Sequence, residues 1–199
     1  MRFHKFISTL LHPIVTPTVG IILYFIFVPH ALTKEQHFFI LALVFGATYI
    51  IPIFMLLVLK GIGLIESFGL HTIRERKIPL FLMMVVFYCL GKSLLGISLI
   101  RDFAVLFYGT SFSLVWLYFL FIIKLKVSIH LVSMGNALGF FLVLIGMYNL
   151  NLLPVLMIMI VLSGLLASAR LHLKAHTPTE VYLGFFIGMI SQFLVGGFL

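Results

Sequence analysis

Three polar, basic segments of the sequence hold the residues that could do chemistry. They cover residues 60–77, 124–130 and 170–180, and each directly precedes a long apolar run. Such a run is expected to be a helix, and the first turn of a helix carries four unpaired N–H groups and a partial positive charge. Anions, and phosphate above all, bind at helix N-termini. Brought together, the three segments would form a phosphate-binding pocket.

The elements that must position these segments follow from the composition. Of 199 residues, 63% are hydrophobic and 9% are charged, whereas a soluble domain is about 45–50% apolar and about 25% charged. The chain is therefore expected to be an all-α, polytopic integral membrane bundle of six to seven transmembrane helices, forming a single transmembrane domain over residues 1–199. The predicted spans are 13–30, 38–59, 78–100, 103–123, 128–148, 152–169 and 181–198.

The first predicted span could instead be a signal peptide, because Arg2 and Lys5 precede an apolar run. Pro13 and Pro17 interrupt this run, and no clear small-residue cleavage site follows it. We therefore expect a retained first helix.

Seven spans place the N-terminus and the three basic segments on one side of the membrane, which we call side A; the opposite side is side B. All Lys and Arg residues except Lys34, Lys92 and Arg101 then fall on side A. The positive-inside rule would make side A cytoplasmic. Most of these cations, however, belong to the segments expected to bind phosphate, so the orientation stays open.

The charge balance separates several function classes. The net charge is +8, with 13 Lys and Arg against 5 Asp and Glu. In a soluble protein this would indicate nucleic acid, but here it favours bilayer headgroups or a phosphate-bearing lipid, and we expect no nucleic-acid partner. Five carboxylates and the single Cys89 argue against a metal site. The single Asp is too few for the Asp-rich Mg²⁺ motifs of prenyltransferase-type enzymes. A transporter would need ionisable residues in the middle of its spans, and only Lys92 lies there.

The segment SARLHLKAHTPTEVYLG, residues 168–184, carries the most specific motif. In it, Arg170 is followed after five residues by His176, and His176 after three residues by Glu180. This resembles the third signature of the type 2 phosphatidic acid phosphatase superfamily, S-R-x5-H-x3-D. Ala169 stands in place of the Ser, and Glu180 in place of the Asp. The Pro after the His, and Gly184 at the next helix start, are similar to the family as well.

Two further segments resemble the other signatures, in the family's order. Residues 127–130, Val-Ser-Ile-His, resemble P-S-G-H, with Ile129 where a glycine lets a backbone N–H approach phosphate. The signature K-x6-R-P is anchored on Pro79, which puts His71 and Ile78 at the Lys and Arg positions. The neighbouring residues that would supply the charge are Arg74, Arg76 and Lys77.

The resemblance implies a metal-independent lipid phosphatase that needs no cofactor and acts on a phosphomonoester or diphosphate. His176 would attack phosphorus and form a phosphohistidine, Glu180 would orient its ring, and His130 would protonate the leaving oxygen. The substrate's tail would lie between helices and its phosphate at side A; phosphatidic acid, phosphatidylglycerol phosphate, polyprenyl diphosphate and phosphorylated lipid A are all consistent. We expect a multi-pass protein of the bacterial inner membrane, with its oligomeric state open. The implied phosphate-binding residues are Arg170, Arg74, Arg76, Lys77 and Ser128.

Structural interpretations stay open beside these roles. Residues 177–180, Thr-Pro-Thr-Glu, form a capping box, so Glu180 could serve only as a helix cap. Ser128 could be the N-cap of the fifth span, and Lys124 and Lys126 could be interfacial anchors. A protein that keeps the fold and binds anionic lipid headgroups without catalysis is the alternative function.

Several residues outside the three signatures also have predicted roles or positions. His172, His176 and Glu180 are spaced i, i+4, i+8, as metal ligands on one face of a continuous helix would be. Pro178, however, is expected to start a new helix between His176 and Glu180, so the three residues would not share one face. Gly135, Asn136 and Gly139 are expected to allow close helix packing. Lys92 lies inside the third predicted span and has no assigned role. The histidines expected to be interfacial are His4, His12, His30 and His37.

Overall fold

Helices connected by turns and loops make up the fold. The computed structural model describes residues 2–70 and 72–198, and this part of the chain contains no strand. When the helix that runs through a π-helical turn is counted once, six helices here are long and apolar enough to cross a membrane. The chain is therefore an all-α, multi-pass membrane bundle. Its helices are α1 Arg2–Leu10, α2 Thr16–Phe27, α3 Lys34–Phe45, the π-helical turn Gly46–Ile50, α4 Ile51–Gly61, α5 Ile73–Leu95, α6 Arg101–Ile122, α7 Ile129–Tyr148, α8 Leu153–His172 and α9 Pro178–Gly196.

Two helices differ from the predicted spans. The helix in the first span, α2, has only 12 residues and ends where Val28 becomes extended before Pro29. α5 begins five residues earlier than predicted because Thr72 and Glu75 form a capping box, with both reciprocal hydrogen bonds 3.2 Å long. It also ends earlier than predicted, at Leu95, which places Lys92 in its last turn, exposed rather than deep in the bundle.

Although α2 is short, it leads from one end of the bundle to the other. At its start, the ring of His12 packs against His130 in the first turn of α7. Near its end, the hydroxyl of Tyr24 donates to Asp102 at the start of α6, and the hydroxyl of Tyr148 at the end of α7 donates to the same carboxylate, both at 2.7 Å. The starts of α2 and α7 therefore share side A, and the helix ends near Asp102 share side B.

Close packing of α7 against α9 brings two of the basic segments together. A Cβ on Gly184 of α9 would lie 2.7 Å from the carbonyl oxygen of Ser128, and a Cβ on Gly139 of α7 would lie 2.7 Å from that of Met189. Only hydrogen fits at these positions, as in small-residue helix contacts of membrane proteins. The prediction of close packing at Gly135 and Gly139 is confirmed, since Gly135 lies against the backbone of Phe185.

A buried polar network fixes α6, α7 and α9 in register. The side-chain amide of Gln192 donates to Asn136 and to the carbonyl of Leu106, both at 3.1 Å. Asn136 donates in turn to Ser113 at 2.9 Å. Polar groups in a membrane interior need such partners, so the network holds the three helices in one arrangement and gives the site a rigid base.

Candidate active site

The capping box predicted at the start of α9 also orients a histidine. Thr177 and Glu180 form both reciprocal bonds of the box, and the Oε2 atom of Glu180 accepts the N–H of Thr177 at 3.1 Å. The same Oε2 atom lies 3.0 Å from Nδ1 of His176. One oxygen of Glu180 therefore contacts both the helix start and the imidazole.

His176 is held in a single tautomer. Its Nδ1 atom lies 3.0 Å from Oε2 of Glu180 and 3.0 Å from the carbonyl oxygen of Lys126. Both partners accept hydrogen bonds, so Nδ1 must carry the proton and Nε2 keeps its lone pair. Burial lowers the pKa of His176 below its ordinary value of 6.5, an effect that the hydrogen bond to Glu180 only partly opposes. The ring is thus neutral at pH 7, with Nε2 as a nucleophilic atom.

The loop between α6 and α7 is joined directly to the start of α9. The backbone N–H of Ser128 donates to the carbonyl of Glu180 at 3.1 Å, alongside the bond between His176 and Lys126. The hydroxyl of Ser128 is buried, makes no helix-capping bond and has no partner within the described residues. Ser128 therefore occupies the N-cap position of α7, but its side chain does not perform that function.

Three cationic side chains, one each from α5, α8 and the loop between α6 and α7, belong to the electrostatic surroundings of His176 and Glu180. Arg76 in the first turn of α5 interacts electrostatically with Glu180, and Arg170 in the last turn of α8 interacts with Arg76. Burial, followed by repulsion from Arg76, lowers the pKa of Lys126. With His176 neutral, the three cations outnumber the two carboxylates that interact with them, Glu180 and, at Arg76, Glu75. This excess positive charge favours an anionic ligand.

His130 belongs to the same group. It interacts electrostatically with Arg170, His12 and His176. The two histidines named by the resemblance, His130 and His176, therefore lie at the same end of the bundle, and both interact electrostatically with Arg170.

Two of the predicted phosphate-binding residues stand apart from the cluster. Arg74 and Lys77 lie in the first turns of α5, Arg74 exposed and Lys77 half-buried, and neither makes a hydrogen bond or ion pair among the described residues. Helical geometry explains the difference from Arg76, because residues one or two apart on a helix point in different directions. His71, at the Lys position of the first signature, lies outside the described residues.

The metal-binding alternative finds no support in the arrangement of its residues. His172 ends α8, and its ring stacks on His4 with the centroids 4.0 Å apart, whereas His176 and Glu180 bond to each other. Within residues 2–70 and 72–198, no three His, Cys, Asp or Glu side chains are grouped so that they could hold a metal ion.

The N-terminal helix supplies contacts that the sequence interpretation missed. The hydroxyl of Ser8 in α1 accepts a hydrogen bond from Nη1 of Arg170 at 2.8 Å, and Nε of Arg170 is buried without a partner among the described residues. The ring of His12 lies 5.0 Å from that of His130, centroid to centroid. His12 was expected to be interfacial, as were His30 and His37, which lie at side B with their Nε2 atoms 3.3 Å apart.

An apolar cleft begins beside this cluster and continues into the bundle. It is narrow and partly open to the outside. Its wall along α7 runs from Ile129, next to His130, to Phe140, a rise of about 16 Å at 1.5 Å per residue. Its other walls include Pro13 and Gly20 from the N-terminal region, Phe87 of α5 and Leu106 of α6.

Comparisons with known proteins leave the family of this chain unassigned. No protein-family model, no curated protein and no solved structure matches the sequence or the fold.

Proposed function

We propose that this protein is an integral membrane phosphatase that hydrolyses the phosphomonoester or diphosphate of a lipid through a phosphohistidine on His176. One observation carries the proposal: Nδ1 of His176 lies 3.0 Å from two hydrogen-bond acceptors, which leaves the lone pair of Nε2 for attack. A nucleophilic histidine needs this arrangement, in which a carboxylate fixes the tautomer and stabilises the cation that forms.

In the first step, Nε2 of His176 forms a bond to phosphorus while the bond from phosphorus to the lipid oxygen breaks. The imidazole becomes cationic, and the carboxylate of Glu180 stabilises it through Nδ1–H. His130 would take a proton from the bound phosphate monoanion and pass it to the leaving oxygen, which releases the lipid alcohol, or the lipid monophosphate from a diphosphate. Arg76, Lys126 and Arg170 would offset the charge on the phosphate oxygens, a task that metal ions perform in other phosphoryl-transfer enzymes.

In the second step, water attacks the phosphohistidine. Neutral His130 would take a proton from the water, the bond between Nε2 and phosphorus would break, and inorganic phosphate would leave. His176 returns to its neutral Nδ1–H form, and His130 passes its proton to the departing phosphate and is neutral again for the next cycle. The sum is hydrolysis, with one water consumed and no oxidant, metal or cofactor required.

The cleft beside His130 supports a lipid as the source of the phosphate. Its walls are mostly apolar and include Pro13 and Ile129, the chain neighbours of His12 and His130. Part of a hydrocarbon chain could therefore enter the cleft while the phosphate meets His176. An aqueous phosphate ester would gain nothing from such a wall. We further propose, from the resemblance in the sequence, a relationship to the type 2 phosphatidic acid phosphatases and a place in the bacterial inner membrane.

A headgroup-binding protein without turnover is the second candidate. The observation in its favour is the hydrogen bond from Nη1 of Arg170 to Ser8, which occupies part of a side chain that the reaction needs for phosphate. Ile129 in the position of the signature glycine points the same way, because a branched side chain limits the approach of the backbone to phosphate.

Phosphate release in detergent, with EDTA present, separates the two functions. The panel would contain phosphatidic acid, phosphatidylglycerol phosphate, polyprenyl diphosphate and phosphorylated lipid A. We expect turnover by the wild type that His176→Ala reduces by about a thousand-fold or more, and a smaller loss in His130→Ala. The matched control is His172→Ala, four residues earlier and outside the cluster, which should keep full activity. Folded wild type without turnover, but with lipid binding that survives His176→Ala, would favour the headgroup-binding protein.

A further inference from the structure

The turn between α1 and α2 places a third histidine in the cluster. His12 is half-buried, and its ring stands nearly perpendicular to that of His130, with an interplanar angle of 82°. Arg170 acts on both histidines electrostatically. None of the three sequence signatures includes His12, which became part of the site only through folding.

The backbone around His12 holds its ring in place. The carbonyl of His12 accepts the N–H of Val15 at 2.8 Å and the hydroxyl of Thr16 at 3.2 Å. Pro13 restricts the backbone directly after it. Before it, Ser8 ties α1 to Arg170. The imidazole is thus attached to a turn that is anchored on both sides, as a preorganised binding group requires.

The hydrogen bond at one ring nitrogen determines what the other can do. Nδ1 of His12 accepts the N–H of Ile14 at 3.3 Å. A neutral ring that accepts at Nδ1 must carry its proton on Nε2, where it is a donor. Burial, followed by the nearby charge of Arg170, lowers the pKa of His12, which favours this neutral form at pH 7.

We propose that His12 is a phosphate-binding residue of this site, donating a hydrogen bond from Nε2–H to a non-bridging phosphate oxygen while His130 serves the leaving oxygen. This inference rests on the proposed function in one respect, which is that the site binds phosphate. It does not require that the bound phosphate ester is hydrolysed. His12 would complement the charged groups with a neutral donor, which stabilises phosphate without adding repulsion to a cluster that is already cationic.

Two substitutions distinguish the Nε2–H donor of His12 from the structural role of its Nδ1 atom, which accepts the N–H of Ile14. His12→Asn keeps a side-chain oxygen near Nδ1 to accept the N–H of Ile14, but it has no group near Nε2. His12→Gln is longer and places an amide N–H near Nε2. The matched control is His4→Phe on α1, because His4 stacks on His172 outside the cluster and a phenyl ring preserves the stacking.

The experiment is the affinity of the full-length, detergent-purified protein for inorganic phosphate, measured by calorimetry. We expect His12→Asn to weaken binding roughly 10- to 100-fold, as for loss of one hydrogen bond to a charged group. His12→Gln should recover most of this loss, and His4→Phe should match the wild type. Monodisperse elution and unchanged helical circular dichroism would show that the variants are folded.

The inference and the proposed function fail in different ways. Unchanged phosphate affinity in folded His12→Asn would overturn the role of His12, even if lipid hydrolysis were normal in the wild type. Wild type that binds phosphate but releases none from any lipid would contradict hydrolysis alone, and the affinities would still decide the role of His12. Wild type that binds no phosphate would overturn both.

Discussion

His176 and Glu180 are joined by a 3.0 Å hydrogen bond across the start of α9, through the carboxylate oxygen that also caps this helix. Helix stability and imidazole orientation therefore depend on the same atom. A substitution at residue 180 would change both, unless the replacement keeps a capping oxygen and alters only the charge.

Glu180→Gln makes that separation. Glutamine is the other residue that closes a capping box, so the melting temperature should change little, whereas the catalytic rate should fall roughly 10- to 100-fold because no carboxylate stabilises the imidazolium. Lipid phosphate hydrolysis and thermal unfolding measure the two effects. The converse control is Thr177→Ala, which should cost about 1 kcal/mol of stability and leave the rate nearly unchanged. Full activity in Glu180→Gln would reduce Glu180 to a helix cap.

The pKa of His176 should show whether burial, which lowers it, outweighs the hydrogen bond to Glu180, which raises it. Because burial lowers its pKa, the imidazole ¹⁵N shifts should report a neutral Nδ1–H ring at pH 7 and a midpoint below 6.5. The unfolded chain binds this proton near pH 6.5 and the folded chain only at lower pH. The free energy of unfolding should therefore decrease as the pH falls from about 6.5 towards the folded pKa. A midpoint above 6.5 would mean that the Glu180 interaction dominates and that the proposed nucleophile is protonated at lower physiological pH.

The glycines between α7 and α9 are predicted to tolerate no side chain. A Cβ on Gly188 would meet the carbonyl of Val132 and would lie 2.7 Å from the backbone nitrogen of Asn136. Gly188→Ala should destabilise the protein by about 1–3 kcal/mol through overpacking, seen as a lower melting temperature in detergent. Gly146→Ala is the control on α7, since nothing lies within 4 Å of its Cβ, and it should be neutral or slightly stabilising. Equal melting temperatures would show that the two helices separate easily.

The apolar cleft gives a prediction about the substrate's hydrocarbon chain. Gly20 lines the cleft, and a Cβ there would have nothing within 4 Å, so Gly20→Leu should place a side chain in the cleft without a clash at its Cβ. We expect a higher KM for long-chain lipid phosphates, by roughly tenfold because less of the chain would be buried, and little change for a phosphate ester with a chain of about four carbons. An equal effect on both substrates would place the chain elsewhere. Gly146→Ala, away from the cleft, controls for a general effect of adding a side chain.

Much of the fold follows from local sequence. Apolar runs predicted the spans that the long helices occupy, and the Thr177–Glu180 capping box predicted the start of α9. Because residues 74–77 are charged, the sequence pattern places them in a loop, whereas the capping box of Thr72 and Glu75 includes them in the first turns of α5. Where a helix extends beyond the membrane, capping hydrogen bonds can determine its first residue even when that turn is charged.

The candidate site was predictable only in part. His176 and Glu180 are four residues apart, so their contact follows from local spacing. The carbonyl of Lys126 lies 50 residues away from His176 in the chain, and Ser8 lies 162 residues from Arg170. Such contacts depend on how helices pack, and one sequence contains no local signal for them. His12 was missed for this reason, because its role depends on contact with α7.

The shortness of α2 has a consequence for the surrounding bilayer. Its 12 residues span about 18 Å, well below the ~30 Å hydrocarbon thickness of a typical membrane. One way in which a bilayer accommodates such a hydrophobic mismatch is local thinning, which would draw headgroups inward beside the short segment. At the side A end of α2 this deformation would bring lipid phosphates down to the level of His12 and His130. The bilayer itself would then shorten the path of a lipid headgroup from the membrane surface to the cationic cluster.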